Sequence, residues 1–230
     1  AAQVVTVEYD ARLAEVAKEV VGERANVRYV AGDAVQGETG LHPGIEAALV
    51  EARERGLAGK VVSNFPYSIA TPLILRLLER GVVERAFPLA LVAGTVQREV
   101  ADRLTAGAIG KEYGVPSLLT QALAEVRVER KISREAFFPR PKIESAVVQV
   151  YPIAREKLAI RDYPRFRALV RAVFQYRRKT VKNALERGLN LDDAAAERAL
   201  AEVGIDPRAR VEVLSPAALA SLANAALTLP

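Results

Sequence analysis

The chain has 230 residues, 50 % hydrophobic and 27 % charged, with a net charge of +5. It has no cysteine and a single histidine, His42, which argues against a disulfide framework, a zinc site, a cysteine nucleophile or a Ser-His triad. No apolar run approaches the roughly 18 residues of a membrane helix, and the mild basic excess suits a polyanionic partner. In chain order, "VVTVE" (4–8) is β-branched and reads as a strand. "ARLAEVAKEVV" (11–21) has helical spacing, and "NVRYVAGDA" (26–34) is a second strand ending in Gly-Asp. "HPGIEAALVEARERG" (42–56) is a helix closed by glycine, and "KVVSN" (60–64) is a third strand. A helix over 70–81, a buried strand over 88–94 and a helix over 96–104 follow. Strands alternating with helices of this length predict a parallel sheet covered on both faces.

The pattern then changes. Residues 116–126 read as a helix, and 126–132 and 145–153 alternate like strands. The intervening "FFPRPKIES" carries two prolines and cannot be a central strand, so an antiparallel hairpin should end the sheet. Beyond residue 157 only helical spacing remains: one long helix over 163–188, then 191–204 and 215–227. Gly188 and Gly204 fit helix C-termini, and Ser215-Pro216 fits an N-cap with proline in the first turn. The expected division is 1–157 and 158–230.

In open α/β sheets ligands bind at the carboxyl ends of the strands. Glu8, Asp33 and Asn64 fall at such ends. A carboxylate there can accept from both hydroxyls of a ribose, which Glu8 fits, though it fits a solvated loop carboxylate equally. Asp33 could accept from an adenine amino group or simply cap its own turn. Asn64-Phe65-Pro66-Tyr67 is more specific. A carboxamide oxygen can accept from an exocyclic amine. Pro66 holds Phe65 extended, so that the Phe65 carbonyl can serve as a second acceptor. Tyr67 offers a ring for a base to stack on. Without further context, the tetrad also fits an Asx turn before a helix.

"NFPYSIATPLILRLLE" resembles the fourth motif of the S-adenosylmethionine-dependent ribosomal RNA adenine dimethyltransferases. "TVEYDARLAEV" resembles their second motif, "AGDA" their third, "VQREVADRL" with "YGVPSLLTQ" the blocks that follow, and "AFFPRPKIESAVVQV" their F-x-P-x-P-K block. "FRALVRAVFQYRRKTVKNAL" resembles the start of their helical C-terminal domain, in the small-subunit branch. The resemblance covers nearly the whole chain, in order. It implies a Rossmann-like methyltransferase sheet with a small helical domain and an S-adenosyl-L-methionine cofactor. It places the ribose carboxylate at Glu8, the cofactor's adenine contact at Asp33 with Ala34 beside it, and the target-amine acceptor at Asn64. The stacking rings would be Tyr67 and Phe137, rather than Phe138 next to it.

The implied reaction is double methylation of two adjacent adenosines near the 3′ end of small-subunit rRNA, by a cytoplasmic monomer that needs neither metal nor membrane. The family's glycine-rich cofactor loop should precede Glu8 by about 20 residues. Only seven stand before it, so the sequence reads either as a fragment without that loop and the first strand or as a product that binds cofactor poorly. The stretch from Gly37 to Gly59 is longer than the family leads one to expect and has no assigned role. Two alternatives stay open: a catalytically silent RNA-binding assembly factor, and the related large-subunit resistance methyltransferase.

From Tyr163 to Asn183 there is no acid and there are seven bases. On a continuous helix Arg167, Arg171, Arg178 and Lys182 project within a narrow arc, with Lys179 among the other bases, and Val170, Val173, Phe174 and Val181 lie elsewhere as an apolar face. A basic stripe over a buried one can track a phosphate backbone, or be a solvated face. Arg177 falls toward the apolar arc and is expected to pair with a buried acid.

Overall fold

The computed structural model describes residues 1–37, 40–154 and 157–225. Strand β1 (Val4–Glu8) leads into helix α1 (Ala11–Val21). Asp10 caps that helix, its carboxylate accepting from the amides of Arg12 (2.8 Å) and Leu13 (3.3 Å). Strand β2 (Val27–Ala31) pairs with β1 in parallel, Glu8 opposite Ala31. A small antiparallel hairpin follows, β3 (Val35–Gln36) with β4 (Gly40–Leu41), unforeseen in the sequence. Helix α2 (Pro43–Glu54) starts from His42, whose Nδ1 accepts from the Gly44 amide at 3.0 Å.

Strand β5 (Gly59–Asn64), helix α3 (Ala70–Leu78), strand β6 (Leu89–Gln97) and helix α4 (Arg98–Thr105) continue the alternation. Helix α5 (Val115–Leu123) stops three residues short of the expected end, and strand β7 (Ala124–Ile132) starts at once. Ala124 is already extended and its pairing with Pro152 takes over from the helix. Strand β8 (Ser145–Pro152) lies between β6 and β7, antiparallel to both, in a four-stranded sheet of order β5-β6-β8-β7. The expected terminal hairpin is present.

One expectation changes. The parallel strands do not form one sheet: β1–β2 is a separate pair, hydrogen-bonded neither to β5 nor to any other strand among the described residues. Between β5 and β6 the backbones meet closely at Gly94, where a Cβ would stand 1.9 Å from the Ser63 carbonyl oxygen and 2.8 Å from the Phe65 ring.

Helices α6 (Tyr163–Phe174), α7 (Val181–Leu189), α8 (Asp193–Glu202) and α9 (Pro216–Ala225) complete the described chain; residues 226–227 of the expected last helix lie outside it. The single helix expected over 163–188 is two. Thr180 is extended and caps α7, the Val181 amide bonds to Ala209, and the Val211 amide bonds to Lys179. Those long-range bonds take the backbone groups that a continuous helix would have used. Gly188 sits inside α7 rather than beyond it. A Cβ there would meet the Ala172 carbonyl at 2.8 Å, so α6 and α7 pack at glycine distance, and left-handed Asn190 ends the helix. One apolar cluster runs from Leu41 to Ala223 across the expected division near residue 157. Among the described residues no helix is long and apolar enough to cross a membrane.

Candidate active site and RNA-facing surface

β5 delivers Asn64 to the carboxyl edge of the four-stranded sheet, in register with Thr95 on β6. The Thr95 hydroxyl donates to Asn64 Oδ1. This bond fixes the carboxamide and leaves its oxygen a second lone pair. The next residue turns inward: Phe65 is buried, and its amide donates to the Thr95 carbonyl at 3.0 Å. Its ring anchors the turn in the core while Asn64, Pro66 and Tyr67 stay exposed. The Pro66 carbonyl accepts from Ile69 and Ala70 (both 3.1 Å) and so opens α3. The Asn64 oxygen thus has a lone pair to spare, and the carbonyl of buried Phe65 is without a hydrogen-bond partner among the described residues.

Phe137 is half-buried on the loop joining β7 to β8. Gln97, Ser145 and Ile132 lie in register, so that loop leaves the sheet at the same edge as Asn64. Phe138 is fully exposed.

Glu8 and Asp33 lie at the same edge of the other sheet, where the Gly32 amide donates to the Glu8 carbonyl at 2.9 Å. Glu8 Oε1 accepts from the Asp10 amide at 3.0 Å, and Asp33 Oδ1 from the Val35 amide at 2.9 Å, so Asp33 does cap its turn. Each carboxylate keeps one oxygen without a partner among the described residues, the donor-free end that a ribose or an adenine amine needs. Ala34 is half-buried against the core. The sequence missed Arg76, buried on α3. Its guanidinium donates to the carbonyls of Gln36 (3.4 Å), Gly37 (2.9 Å) and Gly40 (2.9 Å) and pins the hairpin that follows Asp33 and Ala34.

The basic residues do not form one stripe, because α6 and α7 are separate helices. Arg167 faces Glu79 at 3.6 Å, and Glu79 also accepts from the Tyr163 hydroxyl at 3.0 Å. Lys182 lies between Asp193 (2.6 Å) and Glu197 (2.7 Å), whose hydrogen bonds push its pKa up. Arg171, Arg178 and Lys179 are exposed. Arg178 and Lys179 line a cavity of about 460 Å³ at the α6–α7 turn, together with Lys111, which sequence spacing could not connect to them. Arg177 pairs with partly buried Glu212 at 3.1 Å, as expected, and donates to the carbonyls of Lys111 (3.0 Å) and Gly110 (2.8 Å).

The profile of the ribosomal RNA adenine dimethylase family matches residues 1–227. The chain belongs to that family. Two similar family proteins, from Bacillus mycoides (strain KBAB4) and Bacillus cereus (strain AH187), are each 35 % identical over 228 residues, covering 98 % of this chain and 74 % of the relative. Both are named ribosomal RNA small subunit methyltransferase A. Two solved structures share the fold. A dimethyladenosine transferase from Plasmodium falciparum superposes with TM-score 0.68 at 18 % identity, covering 96 % of this chain and 80 % of that one. The 23S rRNA methyltransferase ErmE superposes with TM-score 0.65 at 22 % identity, covering 98 % and 82 %. The family fold is thus a Rossmann-like α/β sheet followed by helices, as the sequence predicts.

Proposed function

We propose that this chain methylates the exocyclic amine of two adjacent adenosines near the 3′ end of small-subunit rRNA, twice each, during ribosome biogenesis. It acts as a cytoplasmic monomer on the small subunit or its precursor. The carrying observation is the Asn64 carboxamide, held by Thr95 at a strand end with one lone pair and the Phe65 carbonyl to spare.

For the first methyl group Asn64 Oδ1 and the Phe65 carbonyl accept the two N–H bonds of the target amine, and for the second one of them accepts the single N–H that remains. They orient the nitrogen lone pair and stabilise the positive charge that develops on nitrogen, which is discharged in each round by loss of one N–H proton to solvent. Tyr67 and Phe137 stack on the extruded base. S-adenosyl-L-methionine, when bound, supplies an electrophilic methyl group on a sulfonium. Glu8 would hold its ribose, Asp33 and Ala34 its adenine, and Asn64 borders the reacting end. Residues 1–157 form the catalytic part and 158–230 the RNA-binding part. There Arg171, Arg178 and Lys179 meet phosphates, while Arg167 and Lys182 contribute through partly neutralised positions.

The test is transfer of labelled methyl groups to small-subunit particles. Asn64→Ala should lower the rate roughly 10²–10³-fold, as loss of one preorganised charge-stabilising group does elsewhere. RNA affinity should stay unchanged. If the alanine variant methylated as fast as the parent, the assignment of the site would be wrong.

A further inference from the structure

Phe138 is unused by that mechanism, yet it is the most exposed large apolar side chain among the described residues. A lone exposed hydrophobe carries little weight. Here three observations coincide. First, Phe137 is extended (φ −117°, ψ 145°), and successive side chains of an extended backbone point to opposite sides. Phe137 turns partly inward, so Phe138 must face out and cannot share its base. Second, the loop leaves the same sheet edge as Asn64, displaced by the two to three strand positions from β5 to β8 and β7. Both phenylalanines thus stand at the edge where the target base would enter, and their opposite orientations give Phe137 to that base and Phe138 to a neighbouring nucleotide.

Third, the surroundings are basic and uncommitted. Lys142 on the loop, like Arg130 and Lys131 near the end of strand β7, is exposed and has no ion-pair partner among the described residues. Lys142 also borders the cavity beneath the loop, but there Arg98 is taken by Glu144 (2.6 Å) and Asp102 (3.8 Å). The acids Glu99, Asp102, Glu135 and Glu144 outnumber the bases Arg98, Arg134 and Lys142, so the cavity itself has no net attraction for a phosphate. The aromatic tip with free bases around it, not the cavity, is the surface suited to single-stranded RNA.

We propose that Phe138 is a stacking platform for an unpaired nucleobase flanking the target adenine, with Lys142, Arg130 and Lys131 on the adjoining phosphates. This rests on the reading of the chain as an RNA adenine methyltransferase. The chain lacks tryptophan, so Phe138→Trp places the sole tryptophan at the tip, where it can be excited apart from the seven tyrosines. The probe is a single-stranded RNA oligonucleotide with two adjacent adenosines flanked by purines. Emission of the tryptophan variant should be quenched at saturation. Phe138→Ala should bind roughly ten-fold more weakly, in line with loss of one base stack. Its salt dependence should match the parent's, because no phosphate contact is lost, whereas Lys142→Ala should lower that slope by about one. Both positions are exposed, so thermal melts should match the parent's. Parent binding with unquenched emission and an unaffected alanine variant would overturn the platform alone. A parent chain that binds no RNA would overturn the function itself, and the platform with it.

Discussion

The strand that ends in Asn64 and the strand that ends in Glu8 rest on different foundations. Beside β5, β6 buries Val92 and Val96 completely, and β8 does the same with Val148 and Val150. In β1 and β2 no residue is fully buried, and α1 shows Leu13, Val16 and Val20 to solvent. The acceptor for the target amine therefore sits on the deep core. The two carboxylates proposed for the cofactor sit on a two-stranded layer in which no residue is fully buried. Substitutions should separate the two: changes near Asn64 should cost global stability, and changes near Glu8 should act locally.

The largest effect is expected at Gly94. A methyl group there would lie 1.9 Å from the Ser63 carbonyl oxygen, so Gly94→Ala must push β5 off β6 and break the Asn64–Thr95 bond. A loss of about 3 kcal/mol or more is expected by chemical denaturation, with methyl transfer abolished. Gly107→Ala, with open space around its Cβ, is the control and should be neutral. If the two melted alike, the close contact at Gly94 would be refuted.

A second test probes the deep side by pH. Tyr113 is buried, donates to the Leu214 carbonyl at 2.8 Å, and has its pKa raised to about 12 by burial. Below about pH 10 the phenol is neutral in both states. Between about 10 and 12 the unfolded chain ionises while the folded one does not, so stability falls as pH rises through that window. Burial, then the charge of Glu79, raises Tyr163 as well and adds to the loss. Tyr113→Phe should cost about 1 kcal/mol near neutrality through the lost hydrogen bond and flatten part of the alkaline decline. An unchanged slope between pH 10 and 12 would contradict the burial of this hydroxyl.

How much of this was legible in the sequence follows from the range of each interaction. The strands at 4–8, 60–64 and 145–153 and the helices at 11–21 and 42–56 were read nearly to the residue, because their signals are local: β-branched runs, helical spacing, a closing glycine. The break at 175–180 was not, because apolar spacing continues through it. The Ala209 and Lys179 backbone bonds that cause it come from partners some 30 residues away in sequence. Pairing is likewise non-local, so nothing in the sequence told β1–β2 from the four-stranded sheet or set Thr95 opposite Asn64. The NFPY turn itself could be read. The residue that aims its carboxamide could not.

That residue gives the third test. Thr95→Val keeps the shape of the side chain and removes the hydroxyl that holds Asn64 Oδ1. The carboxamide then samples other rotamers, so kcat should fall about ten-fold, equivalent to 1.4 kcal/mol, with KM for RNA little changed. Stability should change by no more than about 1 kcal/mol. Equal losses in kcat and in melting temperature would mean that Thr95 acts through the fold and not by positioning.

The smallest effect belongs to the shallow side. Asp10 caps α1 through its carboxylate, while its amide independently holds Glu8 Oε1. Asp10→Ala removes the first and keeps the second. Loss of an N-cap costs about 1 kcal/mol, but α1 buries only Ala14, so little of that should reach the global transition. Hydrogen exchange should therefore speed up in residues 11–21 and stay unchanged in β6 and β8. Because the Glu8 anchor survives, cofactor affinity should fall less than with Glu8→Gln. If exchange rose in both sheets together, the two layers would unfold as one unit, and the distinction between a deep amine site and a shallow cofactor edge would fail.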